Sequence, residues 1–208
     1  MKNTFEQQAG TSLFVFVLLL VFTMMLHPTG GSIDHLFKAT TMLVTTHAVA
    51  VFAIPIGWIG FWGLTKKLGT DDFLSLLGFA TVSLALIAVL LAGTTNGIIL
   101  PIYLQHYKNA DQQTIDAITP ILKYGSAINN AFDYIYTGAF CIAIFCWSVS
   151  ILSTKKLPVW LGWTGIAVSL TIATILIGGV AVNTLTGLRI FGAAFVIWLL
   201  SVGTVLRK

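Results

Sequence analysis

The chain has 208 residues, of which 57% are hydrophobic and 9% charged, with a mean hydropathy of +0.93 and a net charge of +4. Soluble domains carry about 25% charged residues, so this chain cannot clothe a globular surface in polar groups. A bilayer is the solvent that remains. The expected class is all-α, a polytopic integral membrane protein built as one six-transmembrane-helix bundle over 1–208.

Six apolar runs carry the expected helices, at roughly 11–28, 37–65, 73–100, 126–153, 158–181 and 186–206. The first follows Lys2, but Glu6 stands in the region a signal peptide keeps positive and no Ala-x-Ala site follows. It reads as an uncleaved helix that ends at His27, before "PTGG". The second opens after Asp34 and His35, placed in a short outer loop. Thr40 and His47, seven apart, share a helix face within it. Pro55, Gly57 and Gly60 are tolerable inside a span, because neighbouring helices satisfy the freed backbone groups.

The third run carries Gly93, Asn96, Gly97 and Pro101, with Tyr103 and His106 in an interfacial extension. The longest connection, about 108–125, contains "NADQQTIDAITP" and predicts a short surface helix. The fourth run opens on Asn129, Asn130 and Asp133. Asn129 and Asp133 are i,i+4 on one face, which continues through Ser126, Tyr136 or Thr137 and Phe140. Cys141 and Cys146 stand about 140° apart on that helix, so they do not pair with each other within it and read as core residues. In the last run Arg189 is followed by Gly192 and Ala193, which would let helices approach closely.

Charge gives an orientation. Lys2, Lys66, Lys67, Lys155, Lys156, Arg207 and Lys208 fall on one side, against Lys38, Lys108, Lys123 and Arg189 on the other. The positive-inside rule then puts both termini in the cytoplasm. All six Trp (58, 62, 147, 160, 163, 198) lie toward the cytoplasmic ends and all five Tyr (103, 107, 124, 134, 136) toward the outer ends, as interfacial anchors would.

Counted at about 1.5 Å per residue from the cytoplasmic ends, His27, His47, Asp133 and Arg189 fall at similar heights, roughly 24–30 Å up. Asn96, Asn129 and Asn130 lie slightly further out. A charge at a bilayer centre costs at least ~2.5–3.5 kcal/mol, so such groups normally face a bundle interior or a wet cavity. The expectation is a polar pocket near the outer face, with His47, Asp133, Arg189, Asn129, Asn130, Asn96 and His27 as ligand-binding candidates. Asp133 and Arg189 are expected within salt-bridge reach, because an unpaired buried charge is expensive. The plainer alternatives are a purely structural Asp133–Arg189 pair and a His47 satisfied by a Thr or a carbonyl. The cytoplasmic half offers mostly Ser and Thr, which bond back to their own helices.

Several chemistries draw on these residues. A metal site would take His27, His35, His47 and His106, with Asp133 as a further ligand, although no His-x-x-x-His or Cys-x-x-Cys spacing occurs. Haem would need His47 with His27 or His106. An enzyme acting on lipid headgroups would use His47 as general base, Asp133 to orient it or pair Arg189, and Arg189 on a phosphate. A transporter would want a midplane site and internal repeats, and neither shows. The basic residues sit as pairs between apolar runs, so the pI near 9.2 does not indicate nucleic acid. No cofactor is required by the sequence. The expected partners are membrane lipids and a small-molecule ligand.

The stretch "KKLPVWLGWTGIAVSL" (155–170) resembles a pattern in uncharacterised bacterial multi-span membrane proteins, in which Leu-Pro-x-Trp-Leu-Gly-Trp opens the penultimate helix. "AIPIGWIGFWGLTKKLG" (53–69) resembles their early helix ending in a basic loop. The resemblance covers about a sixth of the chain. It implies a bacterial inner-membrane protein and supplies no activity. The leading expectation is a membrane protein binding a small molecule or lipid headgroup, and the alternative is a headgroup enzyme, metal-assisted or not.

Overall fold

Capping residues set where the helices begin. Thr4 and Gln7 exchange hydrogen bonds, side chain to backbone in both directions, and so start α1 (Phe5–Leu26) six residues before the apolar run itself. Ser32 caps α2 (Ile33–Leu68), which places Asp34 and His35 in its first turn rather than in a loop. Asp72 caps α3 (Phe73–Thr94), and Asp111 caps α5 (Gln112–Thr154). Between α3 and α4 (Leu100–Gln105) the chain winds one π turn, Thr95–Ile99. Then follow α6 (Val159–Ile177) and α7 (Leu185–Leu206). The computed structural model describes residues 4–27, 32–178 and 185–208, apart from the side chains of 185–191.

The π turn has a local cause. Pro101 offers no N–H to the Gly97 carbonyl, and in a regular helix its ring would clash with that carbonyl. Widening the turn relieves the clash, and the Leu100 N–H reaches back to the Thr95 carbonyl instead. Pro55 and Pro120, by contrast, sit inside α2 and α5 without ending them.

Five helices are long and apolar enough to cross a membrane: α1, α2, the α3–π–α4 unit, α5 and α6. The sixth expected span falls in α7, whose described apolar part, Gly192–Leu206, is shorter. The separate surface helix expected at 108–125 is instead the start of α5. With 43 residues α5 is about 65 Å long, twice the ~30 Å of a hydrocarbon core. Its polar first third therefore projects beyond any bilayer that its apolar remainder spans.

The helices close into a ring: α1 packs on α2, α2 on α3, α3 on α5, α5 on α6, α6 on α7, and α7 returns to α1. Glycines make the α1–α2 seam, since a Cβ at Gly63 would lie 2.0 Å from that of Ala9 and one at Gly60 would strike Leu13. Gly192, expected to permit a close approach, is different. A Cβ there would meet nothing within 4 Å among the described residues.

Three aromatic rings from three helices fill the centre. Trp147 of α5 stacks on Phe61 of α2 at 5.5 Å and on Trp198 of α7 at 6.4 Å. Trp147 and Trp198 are buried, so they are core residues and not interfacial anchors; Trp160 and Trp163 are exposed, as anchors are. A buried indole needs a partner for its N–H. That of Trp147 reaches the Thr65 hydroxyl and the Ser75 carbonyl, both at 3.2 Å, and that of Trp198 reaches the Leu161 carbonyl. Asp72 accepts from the Ser75 N–H and from the Ser150 hydroxyl. The half of the bundle nearer the termini thus holds an interhelical polar knot, beside Ser and Thr residues that bond back to their own helices as expected.

Both described ends of the chain lie at that same end of the bundle. Gln7 bonds the Arg207 carbonyl, Glu6 pairs with Lys67 at 2.7 Å, and Lys156 reaches the Leu68 carbonyl.

Candidate functional site

At the opposite end, His27 at the C-cap of α1 meets His47 of α2 edge to face, with ring centroids 4.9 Å apart. The His47 Nδ1 lies 2.8 Å from the Leu43 carbonyl, which only accepts, so Nδ1 carries the proton. In the neutral ring Nε2 then holds the lone pair. The ring rests in the notch of the π turn, since a Cβ on Gly97 would lie 1.9 Å from the His47 Cγ. The turn that accommodates Pro101 therefore also seats His47. Two turns before His47, the Thr40 hydroxyl accepts from Gln105 of α4 at 2.6 Å, tying α2 to that unit.

The second group lies on α5. Its central stripe is Asp133, Thr137, Phe140, Ile144, Trp147 and Ile151, a repeat of four and three that keeps one face toward the bundle axis. Asp133 is only 6% exposed. Its carboxylate accepts from Asn129 at 3.0 Å and from the Tyr136 hydroxyl. One turn further, the Thr137 hydroxyl is fully buried and has no hydrogen-bond partner among the described residues. Other helical threonines, such as Thr23, Thr46, Thr81 and Thr119, turn their hydroxyls back to the carbonyl four residues earlier. Below Thr137, Phe140 lies 4.5 Å from Phe195 of α7 and 6.4 Å from Phe61, so aromatic rings floor the region.

The structure brings together His27 with His47, and Asn129 with Asp133. The π turn that carries Asn96 packs against both α2 and α5, between the two groups, although no hydrogen bond joins them among the described residues. Asn130 and Asn96 are half-buried beside them. Arg189 lies in the early turns of α7 with its side chain outside the described residues, so the expected Asp133–Arg189 bridge falls there too. Among the described residues no cation pairs with Asp133. His35 and His106 are exposed and away from the pair, and no three His, Cys, Asp or Glu residues gather as metal ligands among the described residues. The contact between His27 and His47 leaves no gap for a porphyrin plane. Cys141 and Cys146 are free and buried, the former donating to the Ser169 carbonyl.

Thr137 was expected, as an alternative to Tyr136, on the Asp133 face but not among the binding residues. In sequence it is one of many threonines in apolar runs, and what distinguishes it is a fully buried hydroxyl without a partner, which among the described residues it shares with Ser148 of the same helix. The one available signal was its place four residues after Asp133. No protein-family model, curated protein or solved structure matches the chain.

Proposed function

We propose that this chain is a bacterial inner-membrane protein that binds a small polar ligand or a lipid headgroup at the end of its bundle opposite the termini. One observation carries the reading. A buried carboxylate, Asp133, stands above a buried hydroxyl, Thr137, that has no protein partner among the described residues. Leaving a buried hydroxyl unmatched costs about 1–3 kcal/mol, so a group that meets it from outside the protein is favoured. The membrane placement rests on the five long apolar helices. The cytoplasmic location of the termini rests on the basic residues gathered at their end.

The test is mass spectrometry of small molecules and lipids that co-purify with the protein. A species bound by wild type is expected to be lost from Asp133→Asn and weakened in Thr137→Val. Thr137→Val should also raise the stability of ligand-free protein, because it removes the unmatched hydroxyl while keeping its shape. Equal retention by all three proteins would remove Asp133 and Thr137 from the site.

The tautomer of His47 favours one second reading, an enzyme acting on lipid headgroups with Nε2 as general base. Headgroup release from added phospholipid by wild type but not by His47→Gln would establish it. Equal release by both proteins would sink it.

A further inference from the structure

The α6–α7 side carries a cavity on the outer flank of the bundle near the termini. It is a groove of about 330 Å³, walled by Trp160, Thr164 and Val168 of α6 and by Ala194, Ile197 and Ser201 of α7, with Trp198 as its floor. Each wall repeats every three or four residues, so the groove runs along the helices, from the basic end toward the middle of the bundle.

Its chemistry is that of a hydrocarbon site. The Thr164 hydroxyl turns back to the Leu161 carbonyl and the Ser201 hydroxyl to the Ile197 carbonyl. The Trp198 N–H is already spent on the Leu161 carbonyl. Apart from the Trp160 indole N–H at the exposed mouth, the side-chain polar atoms of the walls are thus matched within the protein, and mostly carbon faces the space.

The charged end of the groove is as specific. Six basic residues gather at the termini end of the described structure, and four are engaged. Lys66 lies over the Phe5 ring, Lys67 pairs with Glu6, Lys156 bonds the Leu68 carbonyl, and Arg207 lies over the Phe14 ring. The other two, Lys155 and Lys208, are exposed, and neither is paired with an anion among the described residues. Lys155 leads into α6 and Lys208 follows α7, the two helices that wall the groove. Trp160, half exposed at the mouth, is placed as an indole at a headgroup boundary would be.

We infer that the α6–α7 groove holds an acyl chain of an anionic phospholipid whose phosphate sits on Lys155 and Lys208. The site rests on the membrane reading but not on the pocket at the other end, so either can fail alone. A second copy of this chain is the competing occupant.

The experiment reads Trp160 fluorescence in phosphatidylcholine vesicles containing a minor fraction of lipid brominated on its acyl chains, either phosphatidylglycerol or phosphatidylcholine. The difference between wild type and Trp160→Phe isolates the signal of Trp160. Quenching should favour brominated phosphatidylglycerol by roughly fivefold in affinity for each lysine, and the preference should shrink with added salt. Lys155→Gln with Lys208→Gln should abolish the preference. Ala194→Phe, which fills the groove, should abolish it with both lysines intact. Equal quenching by the two headgroups in wild type would overturn the proposal, as would a preference that survives the lysine changes. A preference that persists in folded Ala194→Phe would place the phosphate without the groove and also overturn it. Absence of quenching by either lipid, with dimers in solution, would give the groove to a second copy. The lysine variants alter only exposed side chains, so the test stands even if Ala194→Phe fails to fold.

Discussion

At Gly97 two requirements fall on one residue. The π turn relieves the clash of Pro101, and the open face of that turn receives the His47 ring. Replacing Gly97 by Ala sets two effects against each other. Ala is favoured over Gly in a helix by roughly 0.5–1 kcal/mol. A methyl 1.9 Å from Cγ and 2.2 Å from Cδ2 of His47 forces the ring out, and overpacking of this kind costs about 1–3 kcal/mol. With contacts this short the steric term wins, so Gly97→Ala should lower stability by about 2 kcal/mol, read as thermal unfolding in detergent. His47→Ala in the same chain removes the opposing ring and should recover most of the loss. Additive losses in the double variant would mean that the ring does not sit in the notch. His47 was legible in the sequence as a polar residue in an apolar span, and a backbone carbonyl was among its expected partners, but the Gly97 notch and the His27 contact were not legible. The notch depends on how Pro101 deforms a helix, and the contact with His27 depends on how α1 and α2 cross.

Helix boundaries were legible to the extent that caps and apolar content coincide. The two disagree most in α5, where the polar "DQQTIDAITP" reads by hydropathy as a connection with its own short surface helix, although Asp111 starts one helix that Pro120 does not end. The Thr114 hydroxyl and N–H both bond the Asp111 carboxylate, which holds its pKa below the ordinary value of 3.8. A carboxyl depressed in the folded state adds stability above its unfolded pKa and loses it as pH falls through the folded one. The first turns of α5 should therefore be firm at neutral pH and loosen below about pH 4. Hydrogen exchange over 112–118, corrected for the intrinsic pH dependence of exchange, measures this. Asp111→Asn keeps an accepting oxygen but does not titrate, so its profile should stay flat across the same range. An identical acid response in both proteins would move the cause away from this cap.

At the scale of the whole molecule, the sequence carried the division of charge between the two ends but not what lies between them. Seven basic residues were assigned to one end, and the six that fall in the described structure do gather there, around α1, the α2–α3 turn, the α5–α6 turn and the end of α7. The aromatic centre was hidden, because a Trp three residues from a Ser, as Trp147 and Trp198 are, looks alike whether it faces lipid or a neighbouring helix. Only the ring of packed helices, with Gly78 and Gly165 cut back beneath Trp147 and Trp198, makes room for those indoles inside. The same division of ends gives a direct test of orientation. With the basic end in the cytoplasm, the exposed first turns of α5 must lie outside the cell and Lys208 inside. Cys141 and Cys146 are buried and give little background labelling. A cysteine placed at Asp116 should react with a membrane-impermeant maleimide in intact bacterial spheroplasts, and one at Lys208 only after the membrane is permeabilised. The reverse pattern would invert the bundle and put the proposed Asp133 site in the cytoplasm. Labelling of both positions from outside would break the assumption that α5 crosses the bilayer at all, since residues 116 and 208 lie at opposite ends of the same bundle.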